Sequence, residues 1–311
     1  MRIVLDTNVF YSSSYVCAGY CFDTTRKAKW IAESLSSSPI SGIVLTEPEP
    51  LTPDQVASVH DRNYIRAVQT GSPRALAESQ GFTWDAGLWP MVLASNGGVV
   101  AAALQALRDG IAGSLSSGLH HARREAGAGF CTFNGLAVAA RQALAAGAAT
   151  VLVLDLDAHC GGGTESLIAD ERRIWQIDVS VCGYDRYRSS ERTRLEIVAD
   201  AAEYLPTVRR CLDRVESEGP DFDLCLYNAG MDPFEGCAIG GMEGITSDML
   251  AERERTVFEW CRSRELPVSF VLAGGYIGPR LQEDELVHLH RLTLSSSVAA
   301  PAEEAAAWPR F

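Results

Sequence analysis

The segment Val151 to Thr164 reads VLVLDLDAHCGGGT: four apolar residues run into Asp155, Asp157 and His159, and three glycines follow. Side chains alternate along a strand, so these two aspartates and the histidine share one face. A carboxylate and an imidazole two residues apart can grip one cation, and both donor types suit zinc. Three more polar clusters could complete such a site: His120–His121 in a glycine-flanked loop, Asp232 and Tyr276. Two Asp and one neutral His would leave a Zn²⁺ site near zero charge, with a position open for water. The metal would acidify that water and polarise a carbonyl beside it. A histidine would then move protons, and the Tyr276 hydroxyl would hydrogen-bond the developing oxyanion. Gly274 and Gly275 would let the backbone before Tyr276 turn close to a ligand.

Positioning these groups needs strands whose ends meet. Val151–Leu154 suits a strand buried on both faces, as in a parallel sheet, where ligands collect beyond the carboxyl ends. Arg2 to Leu5, Ile174 to Val181, Asp223 to Tyr227 and Val268 to Leu272 read as further strands. Helical spacing appears over Thr25–Leu35, from Pro53 to the Gly71 stop, over Gly97–Leu107 and in the alanine-rich run to Ala146. It returns over Asp200–Ser217, where Pro206 breaks or restarts the helix, then over Ser247–Arg264 and Glu283–Leu292. Residues 71–95 and 183–197 read as loops, and His60 as a helix-surface or capping residue. Repeated strand–loop–helix units predict an α/β fold: a single-domain, mostly parallel β-sheet flanked by helices on both faces. That domain is expected over 1–294, with a low-complexity C-terminal tail over 295–311.

At 311 residues and 47% apolar content, the chain can bury a large core in one such domain. Its net charge is −13, from 27 basic and 40 acidic residues, with no basic cluster. That argues against a nucleic-acid surface, where phosphate neutralisation dominates affinity, and weakly favours cationic substrates. Nine cysteines, odd in number and irregularly spaced, read as reduced thiols in a cytoplasmic protein. The opening MRIVLDTNVF lacks the apolar length of a signal peptide. Arg141 and Gln142 interrupt the most apolar region, so no membrane span is expected.

Four strings, LHHARREAGAGFCTFN, LVLDLDAHCGGGT, LYNAGMDPFEG and LAGGYIG, resemble the zinc-dependent histone deacetylase family in order and separation. That family has the arginase–deacetylase fold and includes acetylpolyamine amidohydrolases and acetoin-utilisation proteins. The resemblance covers about residues 25–292 and implies an amidohydrolase that removes an acyl group from acetyl-lysine or an acetylpolyamine. It implies one zinc held by Asp157, His159 and Asp232, with His120 and His121 beside the metal water and Tyr276 stabilising the oxyanion. Asp155 resembles the carboxylate that orients the first histidine and, with Ser180, would line a structural potassium site. Gly129 and Phe130 resemble the wall of the substrate tunnel.

Two departures stand out. The family usually has Asp or Asn where this chain has Gly162, a residue that orients the second histidine, so His121 is expected to lack that support and to stay neutral. Cys160 replaces the more usual His or Gln and is expected only to pack. A related ureohydrolase with two manganese ions would need carboxylates where Gly161 and Gly230 stand. A metal-holding binding protein without turnover is the other alternative, motivated by Gly162.

Overall fold

The computed structural model describes residues 6–19 and 23–298. Its strands are β1 (Thr7–Phe10), β2 (Ile43–Thr46), β3 (Ile111–Ser114), β4 (Val151–Asp155), β5 (Ile174–Ser180), β6 (Thr193–Ile197), β7 (Leu224–Ala229) and β8 (Val268–Leu272). They form one sheet in the order β2-β1-β3-β8-β7-β4-β5-β6, and every neighbouring pair is parallel. β4, β7 and β8 are buried along their whole length, which is why they read as continuous apolar runs. Register aligns their carboxyl ends: Asp155 pairs with Asn228 on β7 and Asp178 on β5, and Ala229 pairs with Leu272 on β8. The loops that leave these ends therefore emerge side by side.

Several elements depart from the sequence expectation. Arg2 to Leu5 lies outside the described residues, and the first strand found is Thr7–Phe10. β2, β3 and β6 are not among the expected strands: β2 (IVLT) is a four-residue sheet edge, β6 (TRLEI) is the opposite edge, and β3 contains Gly113 and Ser114. β6 lies inside the stretch expected to be loop. Residues 71–95 hold a short helix, Arg74–Ala77, and the start of a long one, Leu88–Asp109. Pro90 falls in its first turn, where the missing N–H costs nothing. That helix is also long and apolar enough to cross a membrane, contrary to the expectation of no such run. Here it is a core helix, packed on β3 and β8 and on the helix Gly135–Ala145. Pro206 likewise sits in the first turn of Tyr204–Glu218, after a separate short turn at Ala201–Glu203. The last helix, Glu283–Val298, runs four residues past the expected domain boundary at 294.

One buried ion pair braces the site from behind. Arg253 and Glu254 are fully buried, with Nη2 and Oε1 2.6 Å apart, and the Tyr227 hydroxyl donates to the same oxygen at 2.6 Å. Arg253 Nη1 also donates to the Leu156 carbonyl, between Asp155 and Asp157, at 3.2 Å. Removing one member of a buried pair strands the other as an uncompensated charge. Arg253→Met should therefore cost about 3–5 kcal/mol in urea denaturation. A loss within about 0.5 kcal/mol, as at an ordinary surface site, would show that the pair does not brace the strand ends.

Candidate metal centre and active site

Asp157 and His159 leave the end of β4, and Asp232 leaves the end of β7. All three are buried, and one donor atom of each lies within 4.8 Å of the others. His159 Nδ1 sits 3.1 Å from Asp157 Oδ1 and 3.1 Å from Asp232 Oδ2. Backbone amides fix the other oxygens: Gly274 donates to Asp157 Oδ2 at 2.9 Å, and Ala158 to Asp232 Oδ1 at 2.8 Å. A Cβ at Gly274 would lie 2.2 Å from Asp232 Oδ2, so only glycine lets β8 approach this closely. A Cβ at Gly230 would lie 2.6 Å from the Asp157 Cα, leaving no room for a second set of carboxylates there.

The charges of this cluster are mutually dependent. Burial pushes Asp232 up to about 6, reinforced by the neighbouring Asp157. Asp157 also resists burial, yet the His120 and His159 rings hold it well below the usual carboxylate range. Burial opposes the His159 charge, but its two carboxylate partners lift it to about 11. Two buried carboxylates that need a protonated imidazole between them are a donor set that a divalent cation satisfies in place of that proton. Among the described residues, this is the one cluster of His, Cys, Asp and Glu that could hold a metal.

The histidine pair lies beside it. His120 Nδ1 is 2.7 Å from Asp155 Oδ2, and Asp155 Oδ1 accepts from Asn228 and from the Asp157 amide. The two Nε2 atoms of His120 and His121 are 3.1 Å apart. Burial disfavours charge on His120, but Asp155 and Asp157 raise it to about 10. Burial and the adjacent His120 lower His121 to about 4, against the pull of Asp185. The two carboxylates thus favour charge on His120, while burial beside it favours a neutral His121.

The loop that presents the pair is tied down by residues the sequence hardly distinguished. Asn134 caps Gly135–Ala145 and donates to the carbonyls of His120 and Ala122. His60 is buried, not on a helix surface: Nδ1 meets the Arg123 carbonyl at 2.8 Å, and Nε2 accepts from the Asn134 amide at 2.9 Å. Burial lowers its pKa to about 4, in keeping with that neutral tautomer.

Tyr276 follows Gly274 and Gly275, and its amide donates to Cys237 Sγ at 3.0 Å. Its ring lies edge-on to His159, 6.3 Å between centroids. Burial and the two metal-site carboxylates hold its hydroxyl well above the ordinary phenol range, so it remains a donor. Tyr276, both histidines, Asp157, Gly129 and Phe130 line one cavity of about 120 Å³. Phe130 packs on Phe82 at 5.5 Å, and both Gly129 and Phe130 have positive φ. A Cβ at Gly129 would lie 2.5 Å from His121 Cδ2, so glycine is required against that ring. Ser180 is buried and donates to the His159 carbonyl at 3.2 Å. Cys160 packs as expected, its thiol donating to the Cys182 carbonyl.

Three residues escaped the sequence reading. Lys27 is buried at the cavity, its ammonium on the Ala273 carbonyl; burial lowers it to about 8, partly offset by Asp157 and Asp232. Its spacing with Ala28, Ile31 and Leu35 on the apolar face of Lys27–Ser37 was the available signal. Tyr184 and Asp185 lie in the loop after β5. The Tyr184 ring is edge-on to His121 at 4.9 Å. Asp185 Oδ2 lies 2.9 Å from His121 Nδ1, which corrects the expectation that His121 lacks a carboxylate. Neutrality of His121 was expected from that lack; it arises here from burial and the charge on His120.

A parallel sheet whose strand ends gather two carboxylates, an imidazole, a histidine pair and a tyrosine defines an arginase–deacetylase-type chain. The chain belongs to the histone deacetylase family: the histone deacetylase domain matches residues 21–292. Family members are deacetylases. It is 31% identical to an uncharacterised protein of Picosynechococcus sp. over 236 residues, 73% of this chain and 78% of that one. It is 26% identical to histone deacetylase 2 of Arabidopsis thaliana over 309 residues, 91% of this chain and 79% of that one. The acetylpolyamine aminohydrolase of Burkholderia pseudomallei has the same fold, with a TM-score of 0.76 and 21% identity, covering 94% of this chain and 99% of that one.

Asp185 also changes what substitution at Gly162 should do. A Cβ there would lie 2.2 Å from the Asp185 carbonyl oxygen and 2.7 Å from its carboxylate. Gly162→Ala should cost about 1–3 kcal/mol by overpacking. Gly162→Asp should lower turnover, because it displaces a carboxylate already in place. A Gly162→Asp variant of unchanged stability and higher turnover would contradict this geometry.

Proposed function

We propose that the chain is a zinc-dependent amidohydrolase that removes an acetyl or similar short acyl group from an amine such as acetyl-lysine or an acetylpolyamine. The observation that carries this reading is the single cavity onto which Asp157, the His120–His121 pair and Tyr276 converge. Bound by Asp157, His159 and Asp232, zinc would acidify a water and polarise the acyl carbonyl. His121, neutral with Nδ1 on Asp185, is the base that takes a proton from the attacking water. That proton passes to the leaving amine nitrogen as the carbon–nitrogen bond breaks, giving a carboxylic acid and an amine, and the acid's remaining proton then passes to the amine so that they leave as carboxylate and ammonium. Charged His120, anchored by Asp155, favours the negative charge that develops on the carbonyl oxygen. The protonated Tyr276 hydroxyl donates to the same oxygen.

The apolar wall of Phe82 and Phe130 suits the methylene stem of an acylated amine. The binding-protein alternative drew on a missing partner for His121, and Asp185 removes that motive. Gly230, which has no room for a carboxylate, disfavours a binuclear ureohydrolase. A potassium ion near Asp155 and Ser180 is part of the proposal, supported by the buried Ser180 hydroxyl beside the His159 carbonyl. A cytoplasmic setting is proposed as well, in keeping with the free thiols of the described cysteines.

Metal analysis of the purified chain should find one divalent ion, lost in Asp232→Ala. Because His159 is held at about 11, zinc must displace a proton at pH 7. Binding should release about one proton, so apparent affinity should rise about tenfold per pH unit from neutrality upward. Calorimetry in two buffers of different ionisation enthalpy measures this; two ions per chain, or pH-independent affinity, would overturn the donor set.

Turnover is tested by screening the zinc-loaded protein against acetyl-lysine peptides and acetylpolyamines together. Tyr276→Phe should lower kcat by about 10²–10³-fold with little change in KM, because the hydroxyl acts mainly on the developing oxyanion. Near-normal kcat would reduce Tyr276 to a packing residue, and no turnover of any acyl-amine would reject the proposed reaction.

A further inference from the structure

Asp185 belongs to a segment remote in sequence from both histidines and from the metal donors, yet its carboxylate is almost fully used. Oδ2 takes the His121 Nδ1 hydrogen at 2.9 Å and the Gly163 amide at 3.0 Å. Oδ1 pairs with the guanidinium of Arg123, two residues after His121. Arg123 also donates to the Gly162 carbonyl at 3.3 Å. An ordinary surface ion pair would explain the arginine contact alone. It would not explain a side chain only 8% exposed, or a backbone φ of +58°. Few non-glycine residues adopt that region, and aspartate is one that does so as a single residue, which lets the turn aim its carboxylate inward.

The chemistry of the contact is directional. An ionised carboxylate only accepts, so it selects the imidazole tautomer that carries its hydrogen on Nδ1. Nε2 of His121 is then left as the lone-pair atom, 3.1 Å from Nε2 of His120. We propose that Asp185 is the positioning residue of His121, fixing its tautomer and ring orientation from the loop after β5 in place of a side chain at position 162. Glycine at 162 is what lets that loop cross: the Asp185 carbonyl occupies the space that a Cβ there would need. The same turn carries Tyr184, half-exposed with its ring edge-on to that of His121.

This inference rests on the proposed deacylation, and its test has one arm that does not. In the zinc-loaded protein with ¹⁵N-labelled histidine, the long-range ¹H–¹⁵N spectrum should show His121 as the Nδ1–H tautomer. Asp185→Ala removes the acceptor at Nδ1 and should shift His121 toward the Nε2–H form while zinc content stays at the wild-type level. With an acyl-amine that the wild type turns over, Asp185→Ala should lower kcat by about 10²-fold or more and leave KM within about threefold. Arg123→Gln, which keeps the carboxylate but loosens it, should give a smaller fall of about tenfold and retain the Nδ1–H form. An unchanged tautomer in Asp185→Ala, or unchanged kcat in a folded, zinc-loaded variant, would overturn the assignment. If the wild type turns over no acyl-amine, the reaction is rejected, and the spectra alone decide whether Asp185 sets the tautomer.

Discussion

Two buried carboxylates facing one imidazole make the constraint around which this molecule is arranged. Asp157 and Asp232 leave neighbouring strands and are brought within reach of the same His159 nitrogen. Burying one carboxylate is costly and burying two together is worse, unless positive charge and hydrogen bonds compensate. The surroundings supply both. Gly274 and Ala158 amides cap the outer oxygens, Lys27 lies close beneath, and the pair of His120 and Asp155 stands alongside. A donor set of this charge calls for a cation, and the His120–His121 pair and Tyr276 face the cavity beside it.

The parallel sheet makes that concentration of charge possible. Strand ends lie level across β8, β7, β4 and β5, so each short loop delivers its polar residue to the same small volume. Rigid elements behind the loops hold the geometry. Arg253 ties the Leu156 carbonyl to the helix Ser247–Ser263, while Asn134 and His60 tie down the loop that carries the histidine pair. Catalytic groups on loops gain precision when the residues behind them are locked by packing and hydrogen bonds. Asp185, from the loop after β5, holds His121 by the same kind of hydrogen bond.

Much of this was legible in the sequence because the central strands are buried on both faces and end in polar clusters. Val151–Asp155, Leu224–Ala229 and Val268–Leu272 stand out as apolar runs, and Asp157, His159, Asp232 and Tyr276 follow them at short distance. Edge strands β2 and β6 were harder to see: β2 is a run of only four residues, IVLT, and β6 mixes polar and apolar side chains, TRLEI, because it is exposed along one edge of the sheet. The long helix Leu88–Asp109 was seen only in part, since Pro90 looks like a breaker until it is placed in the first turn. Asp185 was hidden for a different reason. Its partner lies 64 positions earlier in the chain, and only the path of the loop over Gly162 brings them together. The missing side chain at 162 was visible in sequence, but its replacement was not.

The most direct measurement is anomalous diffraction at the zinc edge from crystals of the zinc-loaded chain. The account requires one peak, bonded to Asp157, His159 and Asp232, with the Asp185 carboxylate still within hydrogen-bonding distance of His121 Nδ1. Two peaks at this site, or a single ion held elsewhere while Asp157 and Asp232 remain paired through His159, would contradict it.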